Sequence, residues 1–303
     1  VGFRCVSHLP NAAGDGGAMR IDIAKEVPRY APAPEPSVKQ WLSLYAYDRT
    51  PLDAQVVEVT ETEVWRREKI TFNGAGGERA IAYLYLPKNV GQRLQVVHVV
   101  PPADVSNRIR SVPDSIEIAW MPLARAGRAI FTVVLKGYIE REPPPGTVPP
   151  KPGTAEYREE LVAKLTDLRR GLDYLETRGD IDATRVAMFG PSGGDLKLLL
   201  PAVERRYRAV IYTGTGLRPE FAQAPPEINP INFVPHIAPP KLLVHGRYDE
   251  AVPLESNAEP FFRLLREPKR RVIYEGGHIP GPQVFFPTVN NWLDETMGAA
   301  IHN

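Results

Sequence analysis

Apolar and polar residues alternate along the first part of the chain in the pattern of half-buried strands. Three such stretches lie at residues 55–61, 64–72 and 79–86, and a Gly-rich turn at 73–77 separates the last two. Strands joined by a turn this short pair side by side in opposite directions. The pattern therefore predicts an antiparallel start to a sheet.

Beyond residue 94 the pattern changes to short, continuous apolar runs separated by longer stretches. A continuous apolar run is typical of a strand that is covered by helices on both faces. Helical spacing is clearest between 161 and 175, where leucine recurs every three or four residues. The alternation predicts an α/β fold with a mostly parallel, twisted sheet and helices on both faces. The predicted strands lie at 95–100, 129–135, 186–189, 209–212, 242–244 and 272–274.

Residue composition predicts a division of the chain at about residue 40. Residues 11–36 are rich in Gly, Ala and Pro, which predicts an N-terminal extension and linker at 1–40 and one large domain at 41–303. Two long connections, the Pro-rich 142–153 and the stretch 213–240, follow strands at their C-terminal ends. Open α/β sheets bind ligands at that edge, so we expect these connections to form a gate and a pocket wall.

Composition narrows the classes of ligand. Lys and Arg number 37 against 36 Asp and Glu, and this balance favours neither nucleic acid nor an anionic membrane as a partner. The single cysteine, Cys5, excludes an internal disulfide and a Cys-based metal cluster. No apolar run approaches the roughly 20 residues that span a bilayer, and residues 1–11 lack the features of a signal peptide. The sequence predicts a soluble chain with a small-molecule ligand, and it leaves compartment and oligomeric state open.

The residues at 190–194 read Gly-Pro-Ser-Gly-Gly, a G-x-S-x-G motif between an apolar strand and a predicted helix at 195–205. Serine hydrolases place the nucleophile on such a turn, so that its hydroxyl projects from the sheet edge between small neighbours. Ser192 is the predicted nucleophile, and the N–H of Gly193 is a predicted donor to the oxyanion. The alternative is a Gly-rich turn with an incidental serine.

A base and an orienting acid follow at the ends of later strands. Asp249 comes just after the apolar stretch 241–246, and His278 lies in a Gly-rich loop after the last strand. The order Ser, Asp, His suits a serine activated by a histidine that an acid orients. Glu250 is the nearest rival acid, and Asp249 has the alternative role of a helix cap. His236, in the second long connection, is the rival base.

The second oxyanion donor in this arrangement comes from the loop after the strand at 95–100. Pro101 and Pro102 have no N–H, so Ala103 or Asp104 must donate, and Ala103 is the favoured residue.

From about residue 41 to 292 the chain resembles the α/β-hydrolase superfamily, and within it the dienelactone-hydrolase-like and acetyl-xylan-esterase-like bacterial members. The resemblance rests on the motif at 190–194, the turn at 246–253 and Gly-Gly-His at 276–278. It implies ester hydrolysis without a metal or organic cofactor, and residues 41–303 then form the catalytic domain. Dienelactone hydrolases proper have a cysteine where Ser192 stands, so their lactone substrate is not implied.

The expected activity is therefore that of a carboxylesterase that acts through an acyl-enzyme. Phe221 and Phe233, in the second long connection, are expected to shape the pocket, and Tyr138 is a weaker candidate for substrate contact. The apolar content of that connection predicts short-chain or aromatic esters as substrates.

The first six residues, VGFRCV, are similar to the closing strand of formylglycine-generating-enzyme domains. Some bacterial multidomain kinases place such a domain before a hydrolase domain. The resemblance implies that this chain is the C-terminal hydrolase part of a longer protein, and chance similarity is the alternative.

Two other functions stay open. A serine peptidase of the prolyl-oligopeptidase type has the same order of catalytic residues, and an acidic pocket for a free amino terminus would favour it. A non-catalytic binding module would keep the fold without the chemistry. Such a module needs no correctly ordered base and acid, which argues for an enzyme.

Overall fold

The computed structural model describes residues 29–300, except 89, 91–92, 102–112 and 114–120. Its strands join into one nine-stranded sheet. Along the chain the strands are β1 (Gln55–Glu61), β2 (Trp65–Asn73), β3 (Arg79–Pro87), β4 (Leu94–Val99), β5 (Ala129–Val134), β6 (Ile181–Pro191), β7 (Tyr207–Thr213), β8 (Lys241–Gly246) and β9 (Lys269–Tyr274).

The spatial order of the strands is β1-β2-β3-β5-β4-β6-β7-β8-β9. The pairs β1 with β2, β2 with β3 and β3 with β5 are antiparallel, and every later pair is parallel. The predicted antiparallel start and parallel remainder are confirmed. Because β6, β7, β8 and β9 run in one direction, the loops that follow them emerge at a single edge of the sheet.

Helices cover both faces of the sheet, as predicted. One face carries α1, α3, α4, α5 and α6, which share a large apolar core, and the other carries α2 and α7, which share a second core. No helix in the described part of the chain is long and apolar enough to cross a membrane. The helices are α1 (Glu35–Trp41), α2 (Met121–Arg125), α3 (Ala155–Glu176), α4 (Asp195–Val203), α5 (Pro230–Phe233), α6 (Glu259–Leu264) and α7 (Pro282–Met297).

The leucine repeat predicted helix α3, and its leucines are buried on the sheet. The Thr154 side chain caps its first turn by accepting a hydrogen bond of 3.2 Å from the N–H of Tyr157. The helix ends at Glu176. There the Thr177 hydroxyl donates to the carbonyl of Tyr174 over 2.7 Å.

Helix α1 belongs to the packed body of the molecule, although most of it lies before the predicted boundary at residue 40. Val38 is fully buried in the larger core, and the N–H of Ala33 donates to Asn232 Oδ1 over 2.8 Å. The Pro-rich connection 142–153 is mostly exposed. The domain boundary and the gating role of that connection remain predictions.

Candidate active site

Ser192 lies on the turn between β6 and α4, in a backbone conformation that few side chains adopt. Its φ is 61°, in the left-handed region, where a residue other than glycine is strained. Its N–H donates to the carbonyl of Thr213 at the end of β7 over 2.7 Å. The sharp turn is thus tied to the neighbouring strand, and the serine remains partly exposed.

Two buried side chains hold the carbonyl groups of this turn. Lys197 Nζ donates to the carbonyl of Gly193 over 2.7 Å and also to that of Pro191. The Thr215 hydroxyl lies 2.8 Å from the carbonyl of Ser192. Three consecutive carbonyls are therefore bound by side chains from α4 and from the segment after β7, which stabilises the strained conformation.

Lys197 is a functional-site residue that the sequence reasoning missed. It is only 1% exposed, and burial, with the nearby charge of Arg218, lowers its pKa to about 7. The signal was a lysine in the otherwise apolar run 196–200 of a helix that follows a nucleophile motif. A buried lysine needs acceptors, and the turn carbonyls supply them.

The structure brings Ser192, His278 and Asp249 together in one hydrogen-bonded chain. His278 Nε2 lies 2.9 Å from Ser192 Oγ. On the other side of the ring, Nδ1 lies 2.8 Å from Asp249 Oδ2 and 3.0 Å from Oδ1. These contacts assign the Nδ1–H tautomer, which leaves Nε2 free to accept the serine proton. The arrangement suits removal of a proton from the hydroxyl.

Asp249 is buried, whereas its rival Glu250 is exposed. Besides His278, Asp249 Oδ1 accepts hydrogen bonds from the N–H groups of Ala251 (2.9 Å) and Val252 (2.8 Å). These bonds close a local turn and keep the carboxylate aimed at the imidazole. Buried His245 supports the turn, since its Nε2 lies 2.9 Å from the carbonyl of Val252.

Tight packing brings the acid turn and the histidine loop together. A Cβ at Gly246 would lie 2.1 Å from the carbonyl oxygen of Gly277, so a larger residue would push the two loops apart. The Tyr274 hydroxyl donates to that same carbonyl over 2.5 Å. The backbone next to His278 is therefore held from two sides.

The rival histidine, His236, lies far from this edge. It shares a small cavity with Tyr207, where β7 begins, whereas Ser192 contacts Thr213, where β7 ends. His98 is fully buried, with its Nδ1 2.8 Å from the Tyr207 hydroxyl. Among the histidines in the described ranges, His278 is the one that reaches the serine.

The predicted substrate residues lie in different environments. Phe233 is fully buried and packs edge to face on Tyr45, with ring centroids 5.5 Å apart. Phe221 is also buried, and Tyr138 lies under the ammonium of Lys164, which is 5.3 Å from its ring centroid. Their contact with substrate remains a prediction.

The structure describes only one of the two predicted oxyanion donors. Gly193 directly follows Ser192 and is buried ahead of helix α4. Ala103, with its alternative Asp104, lies outside the described residues. Both roles remain predictions.

A surface cavity of about 890 Å³ lies elsewhere, between α3 and the turn that joins β2 to β3. Its lining includes Asn73, Arg158 and Arg170 but neither Ser192 nor His278. The cavity and the hydrogen-bonded Ser192 and His278 therefore lie at different places on the molecule. We assign the candidate active site by chemistry, because the cavity lining contains no nucleophile paired with a base.

Comparison with known proteins gives no sequence relatives but clear structural ones. No family model matches the sequence, and no curated protein matches it significantly. An acetyl xylan esterase from Paenibacillus sp. R4 is similar in structure, with a TM-score of 0.65 and 17% identity over 89% of this chain and 97% of that one. This chain has the α/β-hydrolase fold.

Two further structures with this α/β-hydrolase fold are named for different activities, one as an esterase and one as a peptidase. A glucuronoyl esterase from Solibacter usitatus has a TM-score of 0.60 and 17% identity, covering 90% of this chain and 99% of that one. A puromycin-hydrolyzing peptidase from Mycobacterium tuberculosis has a TM-score of 0.59 and 20% identity, covering 77% of this chain and 40% of that one. At these identities the likeness shows the fold alone.

Proposed function

We propose that this protein is a serine hydrolase that cleaves carboxylic esters of small molecules. The observation that carries the proposal is the chain of hydrogen bonds from Ser192 Oγ through the His278 ring to the buried Asp249 carboxylate. A serine hydroxyl becomes a useful nucleophile only when a base removes its proton, and that base must be held in the right tautomer.

In the proposed reaction His278 Nε2 takes the proton as Ser192 Oγ attacks the ester carbonyl. Asp249 stabilises the imidazolium that forms, and the N–H of Gly193, with that of Ala103 as the predicted second donor, stabilises the oxyanion. His278 then returns the proton to the departing alcohol, which leaves the acyl group on the serine. A water molecule, deprotonated by His278, releases the carboxylic acid and restores the enzyme.

Esterase activity is the favoured chemistry, because an acetyl xylan esterase and a glucuronoyl esterase match almost the whole of this chain in structure. The second candidate is a peptidase, supported by the likeness to the puromycin-hydrolyzing peptidase. That protein is much longer, since this chain matches 40% of it. A binding module without activity would have no use for the hydrogen bond between serine and histidine.

The test is hydrolysis of p-nitrophenyl acetate, butyrate and octanoate by the natural chain and by Ser192→Ala. We expect kcat/KM to fall by roughly 10⁴-fold or more, because the nucleophile is lost. Ser43→Ala is the matched control: Ser43 is exposed and bonds only its own helix turn, at Gln40.

A fluorophosphonate probe gives a second readout that depends on the activated serine and not on the substrate. Labelling of the natural chain and of Ser43→Ala, but not of Ser192→Ala, is the expected result. Equal ester hydrolysis by all three folded proteins would refute the esterase, and labelling without hydrolysis would favour the peptidase.

A further inference from the structure

Arg218 places a positive charge beside Gly193, the residue that follows the proposed nucleophile. Its guanidinium occupies the space that a side chain would fill at residue 193: a Cβ there would lie 2.3 Å from Nη2 and 2.8 Å from Cζ and Nε. Gly193 is the residue whose N–H is proposed to bind the oxyanion. An arginine fork at this position reaches the region next to the carbonyl of a bound ester.

The backbone that carries Arg218 is held firmly. Leu217 is fully buried, and its N–H donates to the carbonyl of Asn257 over 3.0 Å. Gly216 packs so closely on Asn257 that a Cβ would lie 2.5 Å from its carbonyl carbon. The arginine therefore projects from a fixed base, which reduces the entropy cost of holding a ligand.

The Arg218 guanidinium has N–H donors that the described residues leave available. Its side chain is 38% exposed, and its ion pair within the described ranges is a long one, 3.9 Å to Glu220 Oε1, on a side chain that is itself 65% exposed. The buried carboxylate at the site, Asp249, is engaged by His278. An arginine presents five N–H donors in a planar fork that matches a carboxylate.

Asp195, the first residue of α4, already accepts hydrogen bonds from other groups. Asp195 accepts a 2.5 Å hydrogen bond from the Tyr157 hydroxyl and a 2.8 Å bond from the N–H of Leu196. The second cation at the turn, Lys197, is buried and bound to the turn carbonyls. The guanidinium of Arg218, beside Gly193 and 38% exposed, is therefore accessible to an anionic ligand.

We propose that Arg218 binds a free carboxylate of the substrate, so that the preferred substrates are half-esters of small dicarboxylic acids. This inference rests on the proposed esterase function and names its substrate class. Hydrolysis of such a half-ester consumes one water and releases the alcohol and the dicarboxylic acid. A partly exposed guanidinium beside Gly193 favours an anionic substrate over a neutral ester of equal size.

The activity test compares monoethyl malonate, succinate and glutarate with neutral ethyl pentanoate, by following acid release. We expect the best half-ester to have a kcat/KM at least about tenfold above that of ethyl pentanoate, because a charge-assisted fork contact is strong. In Arg218→Met that ratio should fall by about tenfold or more, mainly through KM, and Arg218→Lys should restore part of it. Arg208→Met, which alters an exposed arginine at the start of β7, is the matched control.

A loss in Arg218→Met that is equal on both kinds of ester would overturn carboxylate binding and assign Arg218 to the oxyanion instead. A natural chain that prefers ethyl pentanoate over all three half-esters would also overturn it.

Binding without turnover separates this inference from the esterase proposal. Ser192→Ala is titrated calorimetrically with monoethyl succinate and monoethyl glutarate, alone and combined with Arg218→Met. Binding that weakens about tenfold or more in the double variant supports the carboxylate site, even if the natural chain hydrolyses no ester. Ser192-dependent hydrolysis with no effect of Arg218 on binding refutes the carboxylate site alone.

Discussion

Charged side chains are buried at both ends of helix α4, but the groups that bind them differ. At the C-terminal end, Arg206 forms a two-pronged contact with Glu204, with Nε 2.9 Å from Oε1 and Nη2 2.7 Å from Oε2. Its Nη1 lies 2.6 Å from Asp173. At the N-terminal end, Lys197 binds only backbone carbonyls and Arg218 has a distant, exposed partner.

The difference separates charge that stabilises the fold from charge that is available for chemistry. Ion pairs among several partners lock α3, α4 and β7 together, and removing one cation leaves buried carboxylates with fewer partners. Among the described residues, the cations at the Ser192 turn have no carboxylate in close contact, so an anionic ligand or a developing oxyanion can supply the missing charge.

At neutral pH the largest effect is expected at the paired end. Arg206→Met should lower the free energy of unfolding by about 3 kcal/mol, because Glu204 and Asp173 lose their shared partner. Urea unfolding measures the change, with the exposed Arg208→Met as the control. Ester hydrolysis per folded molecule should stay the same, and a fall in kcat comparable to that of a site residue would contradict the division of roles.

The second effect is a loss of folding stability at acid pH, caused by Glu204 at the same C-terminal end of α4. Burial alone would raise the pKa of Glu204, but hydrogen bonds and charge from Arg206 and charge from Arg169 outweigh it and lower the pKa from its ordinary value of 4.5 to about 2. The lowered pKa contributes stability that is fully present above about pH 4.5 and is lost as the pH falls through about 2.

The measurement is urea unfolding of the natural chain and of Glu204→Gln from pH 2 to pH 6. The natural chain should be more stable by about 3 kcal/mol near pH 6, and the difference should shrink toward pH 2. A difference that does not change with pH would show that the glutamate contributes by packing and not by charge.

The third effect lies at the Ser192 turn. The pKa of Lys197 is lowered from its ordinary 10.5 to about 7, so the folded chain binds fewer protons than the unfolded chain between those values. The natural chain should therefore gain stability over Lys197→Met as pH rises from 7 to 10, by up to about 1.4 kcal/mol per pH unit. Below pH 7 the difference should be constant.

Unfolding of the two proteins at pH 6, 8 and 10 makes this comparison, and Lys164→Met, at a partly exposed lysine on α3, is the control. Lys197→Met should also lower kcat, since the carbonyls of Pro191 and Gly193 lose their donor. A stability difference that is flat across pH 7 to 10 would mean that Lys197 stays charged in the folded protein.

Much of the fold and of the proposed triad could be predicted from local pattern. Ser192, Asp249 and His278 each follow an apolar strand directly, so a correct strand assignment places all three at one edge of a parallel sheet. Because the geometry of a strand end is repeated from strand to strand, linear order was enough to bring them together.

Residues that act through packing were not predicted. Lys197 and Thr215 bind the carbonyls around Ser192 only because α4 and the segment after β7 meet there. Phe233, expected to shape the pocket, has no exposed surface and packs on Tyr45. An aromatic residue in a long connection has no periodic pattern that tells a pocket wall from a core contact.

By itself, the sequence determined the order of strands and helices, the sharp turn at Ser192 and the acid and histidine at later strand ends. These follow from hydrophobic periodicity and from small residues at turns, which are local properties of the chain. Only the tertiary structure decided that Asp249 rather than Glu250 faces His278, and that the fork of Arg218 fills the space beside Gly193. Such contacts join residues from different loops, and their distances depend on how the whole sheet twists and packs.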